Sequence, residues 1–239
     1  AVGKDASETY TQGGAKEDRF ALDIVSLTLA SAKTSGDWGA GYTVQTWIGP
    51  DANDLALGGD EASGGVLKNA YLSLNLPIGD SGVNLDVGRF DTILGYELID
   101  YNLNPHHGHS GGYAIEPTLH EGMKASYNLS SSIGITGLVA NTIDASQNGA
   151  SSSNPDRKTW GVALNTKMPD TFGALAGTTV DAAYISGVSN GGSEEVENFY
   201  LGIGVPLPID KLSGGFAWDV RDASGKNEGS DSVVGVYLE

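Results

Sequence analysis

The four histidines of this sequence are confined to one short region. His106, His107 and His109 lie within four positions, and His120 follows on the next predicted strand. Imidazole nitrogens bind zinc, copper or nickel, so the first three are candidate metal ligands. Spacings of one and two residues on a loop identify a metal site far less specifically than two histidines on one face of a helix. We therefore predict no metal or other cofactor and keep these three histidines as a weak metal alternative.

Carboxylates and two basic residues surround these histidines. Rings of ionisable side chains set ion selectivity in pores, so one interpretation of the region is a pore constriction. The alternative is a solvated surface loop, with His120 bonded to a carboxylate at the start of a strand. We favour the constriction. Its predicted residues are Asp86, Arg89, Asp91, Glu97, Asp100, His106, His107, His109, Glu116, His120, Glu121 and Lys124.

The composition argues against several classes of protein. The chain has no cysteine, which removes disulfides, thiolate metal sites and cysteine nucleophiles. A formal charge of -17 disfavours nucleic acid as a partner, because phosphate binding needs clustered lysine and arginine. No GxSxG, HExxH or P-loop pattern occurs, so we predict that the protein is not an enzyme. Acidic stretches at residues 51–54 and 191–195 could bind calcium, but they lack the spacing of known calcium loops.

Alternating residue types predict the secondary structure. About eleven segments place apolar residues at every second position, and no segment has a helical period over three turns. Each strand then has one apolar and one polar face. We expect an outward apolar set and an inward polar set: Leu72, Leu74, Val162, Leu164, Leu201, Ile203 and Val205 outward, and Asn75, Lys124, Asn165 and Asp219 inward.

The lengths of the connections indicate what kind of sheet these strands form. Short turns at residues 33–37, 77–82, 129–132, 169–177 and 208–212 alternate with longer polar loops at 50–65, 91–119, 144–158, 188–198 and 222–231. Outer-membrane barrels have short turns at one edge and long loops at the other, whereas sandwiches have no reason to sort loops this way. The sequence therefore predicts an all-β, antiparallel up-and-down transmembrane barrel, with residues 1–239 as a single domain.

Two further expectations follow from this barrel. Bacterial single-chain barrels have even strand numbers, so eleven strands starting from residue 20 predict at least one more strand before Ala1, in a larger barrel. Aromatic rings prefer the headgroup level, so we expect large aromatic residues toward the strand ends. The residues concerned are Trp38, Tyr42, Trp47, Trp160, Phe199 and Trp218.

One stretch of the chain resembles a known family. Gly88-Arg89-Phe90 ends a strand, Gly95-Tyr96-Glu97 forms a turn, and Pro117 precedes His120-Glu121-Gly122 at the start of the next strand. In this order the motifs resemble the type-two β-barrel porin family, with the best similarity over residues 66–144. The resemblance implies a channel in the outer membrane of a Gram-negative-type cell, with the loop at residues 91–119 folded into the lumen.

These observations together predict a function and its partners. We expect a porin-like channel for passive diffusion of small polar solutes or ions, with a preference for cations because carboxylates are in excess. Its partners would be membrane lipid, lipopolysaccharide and small polar or cationic solutes, and a homo-oligomer is possible. Two alternatives stay open: a structural or adhesive outer-membrane barrel that anchors a surface complex, and a soluble secreted carbohydrate-binding β-protein.

Overall fold

The regular secondary structure that the described residues form is almost entirely β-strand. The computed structural model describes residues 20, 22, 24–34, 38–49, 52, 65–104, 106, 108–145, 148–152, 154–209, 212–223 and 229–239. The strands are β1 (Val25–Ser31), β2 (Ala40–Ile48), β3 (Gly65–Leu76), β4 (Val83–Asp91), β5 (Leu119–Asn128), β6 (Ile133–Ala140), β7 (Thr159–Lys167), β8 (Thr179–Val188), β9 (Glu195–Pro206), β10 (Ser213–Asp222) and β11 (Ser230–Leu238). The helical elements that the structure describes in full are α1 (Gly111–Ile115) and short 3-10 turns at Tyr101–Leu103 and Asp170–Leu175.

Every strand pairs antiparallel with its neighbour in sequence. The order in the single eleven-stranded sheet runs from β1 to β11 without a crossover. This is the predicted all-β, up-and-down topology, and the strand number agrees with the periodicity of the sequence. Within the described ranges β1 pairs only with β2 and β11 only with β10, so the sheet is curved but not closed. No helix in these ranges is long and apolar enough to cross a membrane.

The two faces of the sheet differ as the alternation predicts. Leu72, Val162 and Leu164 are exposed on the convex face, and the rest of the predicted outward set is partly exposed. Asp219 is buried on the concave face, where Lys124 also lies beside Asp86. A cluster of exposed aliphatic residues on several strands is expected where a sheet faces hydrocarbon.

A bulge changes the pattern on one strand. The register between β2 and β3 shifts between Gln45 and Thr46, so two successive residues of β3, Lys68 and Asn69, are both buried. A bulge inserts one extra residue and re-aims the side chains beside it. Alternation alone would have placed these two side chains on opposite faces.

The connections between strands alternate between short turns and long loops, as predicted, only in part of the chain. The β8–β9 connection covers residues 189–194, because β9 begins at Glu195 rather than after Asn198. The β7–β8 connection at residues 168–178 is longer and contains a 3-10 turn. Strict alternation of short turns and long loops is therefore wrong at this pair. The longest connection that the structure describes almost completely is the one between β4 and β5, at residues 92–118.

The concave side of the sheet has two different halves. Toward the long loops it holds a buried cluster that joins Phe90 of β4 to Ile185 of β8 and Tyr200 of β9, with Leu94 of the β4–β5 loop inserted among them. Toward the short turns it holds a polar cavity of about 390 Å³ lined by hydroxyl, amide and charged side chains of β5 to β8, including Ser126, Asn165 and Asp181. The inside is therefore filled at one end and open and polar at the other.

The large aromatic residues occupy several levels. Trp38 precedes β2, Trp47 lies one residue from its end, and Trp160 is the second residue of β7. Phe199 and Trp218 lie well inside β9 and β10, with ring centroids 5.5 Å apart. Tyr42 is the third residue of β2, so four of the six predicted residues lie toward strand ends, and Phe199 and Trp218 do not.

Candidate functional site: the β4–β5 loop on the concave face

The β4–β5 loop, defined as residues 92–118, leaves and rejoins the sheet at one point. The Thr92 backbone N–H donates to the Thr118 carbonyl at 2.9 Å, which closes the base of the loop. Near its far end the loop forms α1, whose N-cap Ser110 accepts a hydrogen bond from the Tyr113 backbone N–H. Gly95 adopts a φ of 102°, a conformation in which a side chain would be strained.

The loop crosses the concave side and contacts the strands opposite its base. The Asn198 side chain of β9 donates to the Ile115 carbonyl at 2.8 Å. The ring of Tyr96 stacks on that of Tyr237 in β11, with centroids 4.3 Å apart. A loop that begins at β4 and ends at β5 thereby reaches β9 and β11, so it spans the inside of the curved sheet.

Glu97 lies in the part of the β4–β5 loop that crosses the concave side of the sheet, where hydrogen bonds fix its carboxylate. Both of its carboxylate oxygens accept from the Ser110 backbone N–H, at 3.2 and 2.9 Å. The Tyr237 hydroxyl donates to the same carboxylate at 2.9 Å. Glu97 thus links the two arms of the loop to β11.

Glu116 meets a carboxyl group of the sheet. It approaches Asp219 of β10, whose side chain is buried. Burial is the main reason that the pKa of Glu116 lies far above its usual range. The hydrogen bond with Asp219, the charge of Asp219 and the charge of Glu97 raise this pKa further. Two acid groups can share a hydrogen bond only when one of them carries a proton.

Lys68 fixes the other side of the loop. Its ammonium group contacts Asp100 of the loop and lies 3.0 Å from Asp91 at the end of β4. The same ammonium lies 5.4 Å from the centroid of the Trp47 ring, a cation–π distance. Because the Lys68 side chain is only 1% exposed, the two carboxylates supply the partners that a buried charge requires.

A second lysine balances a carboxylate on the sheet itself. Lys124 of β5 lies 3.9 Å from its cross-strand neighbour Asp86 and 4.8 Å from the centroid of the Phe90 ring. Asp86 also accepts from the Ser73 hydroxyl at 2.6 Å. This pair lies on the concave face.

Arg89 and Glu121 form an ion pair across β4 and β5. Their atoms Nη1 and Oε1 are 3.2 Å apart, and the residues are direct neighbours in register. The Arg89 side chain is 3% exposed, and the other carboxylate oxygen of Glu121 accepts from the Asn148 backbone N–H at 2.7 Å. These two predicted constriction residues therefore pair with each other beside the β6–β7 loop.

The histidines do not converge. His120 is fully buried, with Nε2 3.1 Å from the Thr92 hydroxyl. His109 stacks on Tyr113 at 3.7 Å, and its Nε2 lies 2.9 Å from the Leu98 carbonyl oxygen. The His106 ring is 6.4 Å from that of Tyr237, and His107 lies outside the described residues. Among the described residues no group of three or more His, Asp or Glu side chains is arranged to hold a metal ion.

The site therefore combines predicted and unpredicted residues. The structure brings Glu97, Asp100 and Glu116 of the loop and Asp91 at the end of β4 around one pocket, with Asp86 and Lys124 on the wall beside the base of the loop. Sequence reasoning missed Lys68 and Tyr237 as members of the site and had Asp219 only as an inward residue. The inward phase of Tyr237 was available from alternation in β11, whereas the bulge that turns Lys68 inward has no visible signal in the sequence.

Comparisons with known proteins agree with this architecture. The family described as "Putative beta-barrel porin-2, OmpL-like" matches residues 4–232, well beyond the stretch that carried the resemblance. A search of curated proteins and a search of solved structures each found no significant match. The family match covers nearly the whole chain, so this protein belongs to the OmpL-like β-barrel porin-2 family, a family of porin type that implies an outer-membrane location.

Proposed function

We propose that the protein is a channel for passive diffusion of small polar solutes or ions through the outer membrane, with a preference for cations. The observation that supports this most is the course of the β4–β5 loop. It lies across the concave face and carries Glu97, Asp100 and Glu116 to the inside of the sheet. A loop of this length in a compact protein is more often functional than a bare connection.

The balance of charge on the concave face supports the cation preference. Six carboxylates lie on the loop and the wall beside it, and their basic partners are Lys68 and Lys124. Burial raises the pKa of Glu116, which removes one more negative charge at neutral pH and still leaves an excess. A low-dielectric wall focuses such a potential on the path of the solute. The carboxylates concerned are Asp86, Asp91, Glu97, Asp100, Glu116 and Asp219.

The convex face supports the expected partners. Its exposed aliphatic side chains suit membrane lipid, and the rim on the long-loop side would meet lipopolysaccharide in an outer membrane. A homo-oligomer would use part of the same face. These partners are part of the proposal.

A specific observation also favours the alternative of a structural barrel. The buried cluster around Phe90, Leu94 and Ile185 fills the long-loop half of the inside. A barrel filled in this way could anchor a surface complex and conduct little. Single-channel recording of the full chain in a planar bilayer separates the two functions, because only the channel gives discrete conductance steps.

The cation preference is tested by the reversal potential in a salt gradient. Replacing Glu97→Gln and Asp100→Asn together should shift the reversal potential toward zero, since less negative charge remains beside the path. The matched control neutralises two exposed carboxylates outside the loop, Asp156→Asn and Asp170→Asn. An equal shift in both variants would mean that the loop does not set selectivity.

A further inference from the structure

The concave side holds a polar cavity outside the β4–β5 loop. It has a volume of about 390 Å³ and lies toward the short turns, between β5 and β8. Ligand sites for small organic molecules fall in this range of volumes. Its lining includes Ser126 of β5, Thr136 of β6, Asn165 and Lys167 of β7, and Asp181 of β8. The cavity is therefore large enough for a small solute and is lined by polar side chains.

A small residue and the neighbouring buried cluster shape this cavity. Gly134 of β6 pairs with Asn165, and a Cβ added at Gly134 would lie 3.3 Å from Oδ1 of Asn128. That neighbour is a side-chain atom, so a larger side chain at Gly134 would extend into the cavity rather than into the backbone. Toward the long loops the cavity ends at the buried cluster, to which Ala163 and Ala183 belong.

Most of the hydrogen-bonding groups in the cavity are uncharged. The hydroxyl oxygens of Ser126 and Thr136 are 2.9 Å apart, and the Asn165 amide donates to Asp181 at 3.0 Å. Three serines of the β5–β6 turn add further hydroxyls. A hydroxyl has one donor and two acceptor positions, and an amide has two donors and an acceptor oxygen. These single bonds fix the side chains and leave donors and acceptors of both kinds for a solute.

The charge of the cavity differs from that of the β4–β5 loop. Lys167 and Asp181 are the charged residues of its lining, so their formal charges cancel. The pocket beside the loop, by contrast, is lined by the carboxylates of Asp91, Glu97, Asp100 and Glu116. Selection of an ion by charge needs an excess of one sign, which this cavity lacks. Its chemistry suits a neutral solute that both donates and accepts hydrogen bonds.

We propose that the cavity between β5 and β8 is a binding site for a neutral saccharide. Each hydroxyl of a sugar donates one hydrogen bond and accepts others, which matches the mixture of hydroxyl and amide groups on the wall. Side chains already held by hydrogen bonds lose little freedom when the solute binds. The proposal rests on the proposed channel function for its place on the path of the solute, and it names the class of polar solute that the channel passes.

The first test measures binding without conduction. The full chain in detergent micelles is titrated with sucrose and followed by saturation-transfer difference NMR, and binding should be saturable. Ser126→Ala with Thr136→Val should weaken it about tenfold, because two hydroxyls are lost and neither leaves the other unpaired. The matched control, Thr28→Val with Ser152→Ala, changes two exposed residues outside the cavity and should keep the affinity of the parent. Methyl-capped tetraethylene glycol, which has no hydroxyl, should not displace sucrose.

The second test places the site on the path of the solute. Sucrose should reduce the ionic current through the parent channel in a saturable way, because bound solute occupies part of the lumen. Gly134→Leu fills the cavity and should abolish the saturable part of this block. The matched control is Gly137→Leu on the same strand, since Gly137 pairs with Val162 of the convex face and has its nearest neighbouring atom at 3.9 Å. This control should keep the block.

The outcomes separate the saccharide site from the channel function. A chain that binds sucrose and never conducts would overturn the channel and keep the site. A conducting chain without saturable sucrose binding would overturn the site alone. Binding that is unchanged in both the Ser126→Ala with Thr136→Val variant and the Gly134→Leu variant would show that sucrose binds elsewhere and would overturn the assignment to this cavity. Displacement of sucrose by the methyl-capped glycol would contradict recognition through hydroxyl groups.

Discussion

At the scale of single residues, charge pairing decides which side chains can be buried on the concave face. Lys68 is held by Asp91 and Asp100, and Lys124 by Asp86. Removing one member of a buried ion pair is costly, because the remaining charge has no partner and little access to water. The lysines are thus required for stability as much as for the potential inside the sheet.

Lys68→Met should lower the free energy of unfolding by about 3 kcal/mol, the cost expected for breaking a buried ion pair. The partners differ in exposure, 42% for Asp91 and 12% for Asp100, so most of the loss should come from Asp100. Urea titration in detergent micelles measures it. The control Lys167→Met changes an exposed lysine and should alter stability by less than about 0.5 kcal/mol. Equal losses in both variants would contradict the role of Lys68.

Gly88 is a second residue whose type is fixed by its position. Its φ of 136° is a conformation that L side chains rarely adopt, and a Cβ there would overlap the Ala70 carbonyl oxygen. Gly88→Ala should cost at least about 1 to 3 kcal/mol through backbone strain. The matched control is Gly137→Ala, where the nearest atom to the new Cβ is 3.9 Å away. Similar urea midpoints for the two variants would show that the Gly88 backbone relaxes freely.

At the scale of elements, the strands were largely predictable and their details were not. Period-two alternation identified eleven strands because one face is apolar over most of their length. It could not show that β1 begins at Val25 rather than at Phe20, or that the β8–β9 connection is short. The side chains of both Lys68 and Asn69 point inward because of the bulge opposite Gln45. No residue type in either strand indicates that bulge.

The two faces of β7 offer the most direct test of which side meets lipid. Leu164 is exposed on the convex face, and its neighbour Asn165 lines the polar cavity on the concave face. Leu164→Arg should lower the free energy of unfolding in a bilayer by about 2 to 4 kcal/mol, because arginine on a lipid-facing strand is destabilising. Asn165→Arg should be tolerated because the cavity is polar. Unfolding in liposomes measures both, and a larger loss for Asn165→Arg would reverse the assignment of the faces.

At the scale of the whole molecule, family and topology were available from the sequence, and the arrangement inside the sheet was not. Gly88-Arg89-Phe90 and His120-Glu121-Gly122 carried the resemblance, which the family match over residues 4–232 confirms. The placement of Glu116 against Asp219, by contrast, depends on contacts between positions far apart in the chain. Such contacts arise only when the loop folds back across all the intervening strands.

The fold of the whole molecule also explains why the residues of the predicted constriction do not all lie together. Residues of one region were taken together because they are near in sequence, but Arg89 and Glu121 pair with each other and contact Asn148 of the β6–β7 loop. His120 is buried against Thr92 and stabilises the base of the loop. The residues left beside the path are mainly the carboxylates of the loop and their lysine partners.

The measurement that tests this account most directly is the single-channel conductance of a variant that lacks residues 103–112. The deletion removes the segment before α1 together with its first two residues, Gly111 and Gly112, and it keeps both strands that carry the loop. We predict discrete channels with higher conductance than the parent, with the β-sheet spectrum and heat-modifiable migration retained, because the segment that narrows the path is gone. Unchanged conductance in a folded deletion variant would contradict the claim that the β4–β5 loop controls passage through the protein.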